Sequence, residues 1–227
     1  MRTALFFFIA ICLTANMLAG AAQNEEPTVI RGQSCEQNMA CSQPALNVSP
    51  IASIRASSVL ENKKTYAADN AIDADPEGPD DMLYGNLNTA WCEGDEDTGE
   101  GAFIRIAFDE PVAVSAIRLS AGYDKSADLF AKNSRLKKAR LVLSNRAEFV
   151  LHFGEHFFDM ENGDTSWKPM NTRGTIPNSP QLFRIVPHDA APVRISWLML
   201  VIEETVPGWK YRDTCISTID LIEDFDD

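Results

Sequence analysis

The sequence has few basic residues and few motifs of known catalytic chemistry. Lysine and arginine number 20 against 33 acidic residues, which leaves a formal net charge of −13. Nucleic acids and anionic membrane surfaces are bound through basic faces, so neither is expected as the main partner. The chain also lacks a P-loop, a dinucleotide-binding glycine motif and the residue order of a serine hydrolase. The acidic balance is compatible with cations, with neutral ligands such as glycans, or with solubility alone.

Long apolar runs are also lacking, apart from one at the beginning of the chain. Residues 4–18 are rich in Phe, Ile and Leu, follow the basic Met1-Arg2, and precede the small residues 19–21. This pattern predicts a secretory signal peptide over residues 1–21. No other stretch approaches the ~20 apolar residues of a membrane-spanning helix. We therefore expect a secreted or periplasmic protein without membrane insertion, long enough for one domain.

No Cys-x-x-Cys pair is present, and this disfavours a zinc site. Cys12 falls within the predicted signal peptide. The other four cysteines are an even number in an exported protein, which predicts two disulfides. Four cysteines allow three pairings. Cys35 and Cys41 are close in sequence and most simply pair with each other, which leaves Cys92 with Cys215.

The chain has no amphipathic helix of more than a few turns, and short strand-like segments follow one another instead. A turn is predicted at Asp109-Glu110-Pro111 and a long loop over residues 122–133. The pattern favours an all-β sandwich or barrel over residues 51–222, preceded by a linker with a small disulfide loop (22–50) and followed by an acidic tail (223–227). The predicted strands cover residues 51–58, 103–108, 112–119, 139–143, 148–153, 181–186, 193–203 and 215–222.

Several loops carry residue types suited to binding, and each also has a structural interpretation. Residues 122–126 and 133–137 bracket a loop dense in hydrogen-bond donors, with one aromatic ring, and sugars bind well to such sets. An ion pair between Asp124 and Arg135 that braces the loop is the alternative. Trp91 is either a sugar platform or a core residue. Trp167 and Trp209 lie in irregular segments, which fits an exposed rim or packing for each.

Two further patterns suggest metal chemistry and do not meet its requirements. HFGEH at residues 152–156 matches a zinc-peptidase pattern, which needs both histidines on one helix face. The preceding residues alternate like a strand, so we interpret the motif as a hairpin strand and turn. Five carboxylates in residues 73–81 could hold calcium, but the spacing does not fit an EF-hand; a solvated acidic loop is the alternative.

A series of short motifs follows in a fixed order. They are YAADNAID (66–73), TAWCEG (89–94), GEG (99–101), FIRIAF (103–108), VSAIRL (114–119), GYDKS (122–126), Phe130, NSR (133–135) and DTCIS (213–217). Together they resemble the discoidin, or coagulation-factor C-type, domain. The chain is most similar to the glycan-binding module found beside secreted bacterial NAD glycohydrolases. The resemblance covers residues 51–222.

This resemblance implies a discoidin-like jelly-roll β-sandwich, of the galactose-binding-domain type, whose loops at one end bind carbohydrate. The NAD-cleaving activity of such proteins belongs to a separate domain, so a non-catalytic module is expected. The resemblance also implies a structural calcium at Asp73 and Thr89, although Thr218 stands where the family often has a glutamate. The candidate ligand-binding residues are Trp91, Glu93, Tyr123, Lys125, Asn133 and Arg135.

Two other functions are compatible with the same residues. The loop end could dock on a protein partner, as in a targeting or adhesion module. The acidic loops could instead serve a small secreted hydrolase, since loops can bring together two carboxylates of the kind that glycoside hydrolysis uses. The glycan-binding module is the prediction that the sequence favours.

Overall fold

A computed structural model describes residues 26–34, 51–72, 86–153, 180–187 and 189–223 of the chain. These residues form twelve strands, one short α-helix and three 3₁₀ turns. The strands are β1 (Thr28–Arg31), β2 (Gln33–Ser34), β3 (Ile51–Ala56), β4 (Trp91–Cys92), β5 (Phe103–Val114), β6 (Ala116–Leu119), β7 (Arg135–Leu143), β8 (Glu148–His152), β9 (Gln181–Arg184), β10 (Val193–Val206), β11 (Cys215–Ile216) and β12 (Ile219–Ile222). The helix α1 is Ala127–Lys132, and the 3₁₀ turns are Leu60–Asn62, Lys64–Tyr66 and Ala68–Ala71.

Two larger sheets and a small third sheet build the domain. Six strands form one sheet in the order β1-β8-β7-β10-β5-β3, and four form the other in the order β12-β6-β9-β2. β4 and β11 make a separate two-stranded ladder. The pairings are antiparallel except that β1 runs parallel to β8. The predicted all-β sandwich is confirmed. Within the described residues no helix is long and apolar enough to cross a membrane.

The core lies between the two larger sheets. Burial alternates along β5 and β10, because successive side chains of a strand point to opposite faces. The buried set on the six-stranded sheet includes Ile104, Ile106, Leu198 and Leu200, and each such side chain stabilises the fold by about 1.5–3 kcal/mol. These residues pack in one cluster with members of the four-stranded sheet, among them Phe183. This rigid sandwich supports the loops at its ends.

The predicted turn at Asp109-Glu110-Pro111 is wrong, because these residues lie inside β5. The register of β5 against β10 changes at this point: Ala107 pairs with Trp197, whereas Val112 pairs with Ile195. Four residues of β5 therefore stand opposite one residue of β10, which is a bulge rather than a chain reversal. A proline and two acidic residues are tolerated there because the ladder is interrupted.

The linker predicted over residues 22–50 contains two strands among its described residues. β1 pairs along β8, and β2 pairs with β9 in the other sheet. The run Thr28-Val29-Ile30-Arg31 has the β-branched composition of a strand, but it is too short to be recognised without its partner. The hairpin of β7 and β8 is confirmed, and His152 ends its second strand. Residues 154–156 of the HFGEH motif lie outside the described residues.

Candidate binding site

The disulfide between Cys92 and Cys215 ties together the loops at one end of the sandwich. It joins β4 to β11 directly across their ladder, between residues 123 positions apart in sequence. This pairing confirms the second predicted disulfide. Cys35 and Cys41, which form the other predicted pair, lie outside the described residues. The cysteines pack with Ala90 and Tyr123 in a small apolar cluster beneath the loops.

Trp91 is part of the core rather than of the surface. Its ring has no exposed area, and its indole Nε1 donates a hydrogen bond to the carbonyl oxygen of Ser58 at 3.0 Å. Trp91 also pairs with Ile216 in the β4–β11 ladder. A ring without an exposed face cannot stack on a sugar, so Trp91 as placed supports the loops and presents no platform.

Glu93 is a buried acid that holds two loops together. Its Oε1 accepts a hydrogen bond from the amide of Thr214 at 2.9 Å, and its Oε2 accepts one from the amide of Asp95 at 2.7 Å. Burial raises the pKa of this carboxyl above its usual range. Gly99 approaches the Glu93 side chain with a φ of +72°, where a Cβ would lie 2.4 Å from it. Glu93 therefore braces the residues between β4 and β5.

Asn133 and Arg135 bind the end of α1. The Asn133 side-chain amide donates to the carbonyl oxygen of Leu129 at 2.8 Å. Arg135 Nη1 donates to the carbonyl oxygen of Phe130 at 3.0 Å, and its guanidinium lies 5.4 Å from the Phe130 ring centre. Burial lowers the pKa of Arg135 to about 9. Helices leave their last carbonyls without internal partners, and Arg135 supplies one to Phe130. The Leu129 carbonyl accepts from both the backbone amide and the side-chain amide of Asn133.

The predicted ion pair between Asp124 and Arg135 is not formed. Asp124 is buried, and its Oδ2 accepts a hydrogen bond from the Ser120 hydroxyl, while its backbone amide donates to Ser217 Oγ at 2.9 Å. Burial alone raises the pKa of Asp124 well above its usual range. The loop is braced by these hydrogen bonds to serines instead.

Of the six residues predicted to bind a ligand, Lys125 is exposed and the other five are buried. Tyr123 is buried with its hydroxyl 3.5 Å from the Asn88 carbonyl oxygen, and burial raises its pKa. Lys125 precedes Ser126, whose hydroxyl caps α1 by accepting from the amide of Leu129. The buried five lie under the loops and hold their shape. Direct ligand contact by this set stays a prediction.

The structure describes Thr89, one of the two residues predicted to bind calcium. The Thr89 hydroxyl donates to the carbonyl oxygens of Asn86, at 2.9 Å, and Asn70, at 3.3 Å. Thr218, which stands where the family often has a glutamate, donates to Asp220 Oδ1 at 2.9 Å. The described ranges contain no group of three or more His, Cys, Asp or Glu that could hold a metal ion. Asp73 lies outside those ranges, and calcium stays a prediction.

Two exposed aromatic residues lie at this end, in residues 208–212, which we call the aromatic loop. Trp209 is 59% exposed and Tyr211 is 39% exposed. Across the described residues the only other large hydrophobic side chain that is exposed is Val29, on β1. The sequence predicts irregular segments at Trp209 and at Trp167, which lies outside the described residues, and it gives no expectation for Tyr211. The signal available for Trp209 and Tyr211 is the W-x-Y spacing in a polar segment between two strands.

The aromatic loop is fixed to the last residues of α1 by its backbone. The amide of Trp209 donates to the carbonyl oxygen of Ala131 at 3.2 Å, and the amide of Tyr211 donates to that of Lys132 at 2.8 Å. The amide of Gly208 donates to Ser134 Oγ at 3.2 Å. These bonds satisfy carbonyls at the end of the helix. The two rings are therefore held outward by a rigid backbone.

Basic side chains lie against both rings. Lys132 Nζ is 5.5 Å from the Trp209 ring centre, and Lys210 Nζ is 4.9 Å from that of Tyr211. Lys132 also forms an ion pair with Asp128, one turn earlier in α1. A hydrogen bond to Tyr211 raises the pKa of Lys210. The site thus combines exposed aromatic faces, cations and one carboxylate.

The loops around the disulfide converge on the same end. Arg212 Nη1 lies 3.4 Å from Asp97 Oδ1, and the Thr214 hydroxyl donates to the carbonyl oxygen of Thr98 at 2.7 Å. The aromatic loop is thereby connected to the loop after β4, which Glu93 braces. Of the exposed side chains at this end, the sequence pointed to Lys125 and allowed an exposed Trp209, and it gave no expectation for Tyr211.

Comparison with known proteins gives one family match. Residues 47–222 match the model of the NAD glycohydrolase translocation F5/8 type C domain. No curated protein matches the chain.

Solved structures with a similar arrangement of strands are distant in sequence. The F5/8 type C domain of a Bacteroides fragilis protein has 18% identity, over 81% of this chain and 98% of that one, with a TM-score of 0.48. The family 32 carbohydrate-binding module of C. perfringens NanJ, in complex with galactose, has 14% identity over 74% of this chain and 91% of that one, with a TM-score of 0.42.

The arabinofuranosyltransferase AftD from Mycobacteria, in a mutant form, has 15% identity over 80% of this chain, with a TM-score of 0.46. The chain spans 12% of the length of AftD and 25% of the length of a Ruminococcus gnavus fucosidase that it also matches. All these TM-scores lie below 0.5, so the assignment of the chain rests on the family match.

Proposed function

Since this chain belongs to the NAD glycohydrolase translocation F5/8 type C domain family, we propose that it is a carbohydrate-binding module that recognises glycans without changing them chemically. Binding uses the loops at the disulfide-tied end of the sandwich. The observation that carries this proposal is the pair of exposed rings, Trp209 and Tyr211, on a backbone bonded to α1.

The chemistry of this end suits a sugar. A sugar ring has an apolar C–H face, which stacks on aromatic side chains, and a rim of hydroxyls, which need hydrogen-bond donors and acceptors. Trp209 and Tyr211 supply the aromatic surface. Lys132, Lys210 and Asp128 lie beside the rings and supply the polar groups.

The buried residues under the site support the proposal through preorganisation. Asn133 and Arg135 bind the carbonyls of α1, and α1 in turn binds the amides of the aromatic loop. A site whose loops are already ordered loses less conformational entropy when a ligand binds. The residues singled out from the sequence thus position the binding surface, although most of them lie beneath it.

Export of the chain is part of the proposal. Disulfides persist in secreted and periplasmic proteins and are rare in the reducing cytosol. The Cys92–Cys215 bond is buried in the cluster beneath the loops. This supports the secreted or periplasmic location that was predicted from the apolar run in residues 1–21, which lies outside the described residues.

A glycan array probed with the purified protein tests the proposed function. We expect binding to a defined subset of glycans. Trp209→Ala and Tyr211→Ala should each weaken it by about 1–3 kcal/mol, if a sugar ring stacks on these side chains as strongly as a nucleobase does. Trp209→Phe keeps a ring at the same position and serves as the matched variant, with retained binding expected. Circular dichroism of each variant confirms the fold.

Two results would contradict the proposal. One is an array on which no glycan is bound, together with capture of a specific protein by the same loops, which would favour a targeting module. The other is glycan binding that both alanine variants retain in full, which would place the site elsewhere on the sandwich.

A further inference from the structure

The cations beside the aromatic loop specify the class of glycan. We propose that the site binds an acidic saccharide, one that carries a carboxylate or sulfate, with the sugar ring on Trp209 or Tyr211 and the anionic group at Lys210 and Lys132. This inference rests on the proposed function and adds to it the charge of the ligand.

An ammonium group lies against each exposed ring. Lys132 Nζ and Lys210 Nζ lie 5.5 Å and 4.9 Å from the centres of the Trp209 and Tyr211 rings. Each ammonium stands over one face of its ring, so a sugar stacks on the opposite face, and a substituent that projects past the ring edge comes within reach of the lysine side chain. An anionic substituent would accept charge-assisted hydrogen bonds there, which are stronger than bonds to a neutral hydroxyl.

The charged groups around the two rings include more cations than carboxylates. Asp128 is the acid that faces this cluster from α1: it pairs with Lys132, and its charge also acts on Lys210. Arg212 is paired with Asp97. In the described part of the chain, no carboxylate lies within ion-pair distance of Lys210 or of Lys125. The two lysines beside the rings and Asp128 therefore sum to one positive charge.

The charge near the rings is opposite in sign to that of the whole chain. The chain carries a net charge of −13, yet basic residues border both exposed rings. Charges are screened beyond roughly 8 Å at physiological salt, so a ligand bound at the rings responds chiefly to Lys132 and Lys210, which lie closer than that to the ring centres. A short acidic saccharide would contact only the rings and their lysines, whereas a long polyanion would also contact other parts of this acidic protein and be repelled there.

Matched acidic and neutral sugars test the inference in solution. Trigalacturonic acid is compared with its methyl ester, and a sialylated oligosaccharide with its desialylated form, by isothermal titration with the whole protein. The acidic member of at least one pair should bind more tightly, by about threefold to tenfold for one or two exposed ion pairs. Its affinity should fall with added salt, whereas that of the neutral member should not.

A pair of variants assigns the preference to these lysines. Lys210→Gln combined with Lys132→Gln should bring the affinity for the acidic member close to that for the neutral one. Lys137→Gln is the control, because Lys137 is an exposed lysine on β7 that is paired with Glu204. Its removal changes the net charge by one and should leave the preference intact.

The results separate this inference from the proposed function. Equal binding of both members, or an acid preference that survives the double lysine substitution, would overturn the acidic ligand and leave the glycan-binding function standing. Binding restricted to other, neutral glycans on the array would do the same. Failure of every sugar to bind would overturn both.

Discussion

Gly208 lies so close to Lys132 that a Cβ built on the glycine would be 2.2 Å from the Lys132 carbonyl oxygen. The same Cβ would be 2.6 Å from the carbonyl oxygen of Asn133. Backbone atoms cannot move away as the end of a flexible side chain can. The absence of a side chain at Gly208 is therefore what allows the aromatic loop to rest on the end of α1.

Gly208→Ala should displace the aromatic loop. We expect a loss of about 1–3 kcal/mol in the free energy of unfolding, as for overpacking elsewhere, together with weaker glycan binding. Gly101→Ala is the control: Gly101 has a φ of +95° with open space around a Cβ, so it costs stability through backbone strain alone. Denaturant unfolding and titration of both variants measure the two effects. Undiminished binding by the Gly208 variant would show that the loop position does not matter.

Removing the Cys92–Cys215 disulfide should strongly destabilise the domain. The bond closes a loop of 123 residues, for which the chain-entropy model gives about 4–5 kcal/mol. The double substitution Cys92→Ser and Cys215→Ser, measured by denaturant unfolding without reductant, isolates this bond from any other. A loss below about 1 kcal/mol would indicate that residual structure in the unfolded chain already holds these loops together.

The buried carboxyl of Asp124 should make stability depend on pH. Burial raises its pKa in the folded state, so the folded protein keeps this proton at a pH where the unfolded chain has lost it. The contribution is favourable below the unfolded pKa of about 3.9 and declines as pH rises above it, by at most about 1.4 kcal/mol per pH unit. Asp124→Asn should remove this decline. Denaturant unfolding of both proteins between pH 4 and 7 measures the difference.

Other acids also make the free energy of unfolding depend on pH, so the Asp124→Asn variant is compared with the parent protein. Burial also raises the pKa of Glu93 and Asp213, and their contributions decline with rising pH in the same way. The pKa of Glu203 is lowered by Arg140 and Lys138 despite its partial burial, so its contribution is lost instead as pH falls. Identical slopes for parent and Asp124→Asn would contradict the assignment.

The ion pair between Arg118 and Asp220 should contribute far more than any surface pair. Arg118 Nε lies 2.9 Å from Asp220 Oδ2 on neighbouring strands, with both side chains buried. Asp220→Ala leaves a buried guanidinium without this carboxylate and should cost about 3–5 kcal/mol. Glu204→Ala, which removes an exposed partner of Lys137, should cost no more than about 1 kcal/mol. Equal losses in the two variants would contradict this ranking of the two ion pairs.

Calcium at Asp73 and Thr89 has a direct thermal test. A ligand that binds only the folded state adds about 2.7 kcal/mol at one hundred times its dissociation constant. If the site exists, excess calcium should raise the melting temperature and a chelator should lower it. An identical melting temperature in both would exclude the ion, and Asp73→Asn would then have no calcium-dependent effect.

The sequence by itself determined the class of fold, the family and one disulfide. Alternating apolar residues in segments such as residues 103–108 predict strands because side chains of a strand point alternately to the core and away from it. The pairing of Cys92 with Cys215 was predicted because Cys35 and Cys41, which are close in sequence, most simply pair with each other. The motif order identified the family, because spacing along the chain is read directly from the residues.

Only the tertiary structure decided which side chains of that end meet solvent. Trp91 and Trp209 are the same residue type, yet one lies in the core and the other projects beside α1. Burial depends on contacts between segments distant in sequence, such as Gly208 against Lys132, and no local pattern records them. A contact between distant segments also explains β1, which lies in the predicted linker. It pairs with β8, and a four-residue strand is stable only beside its partner.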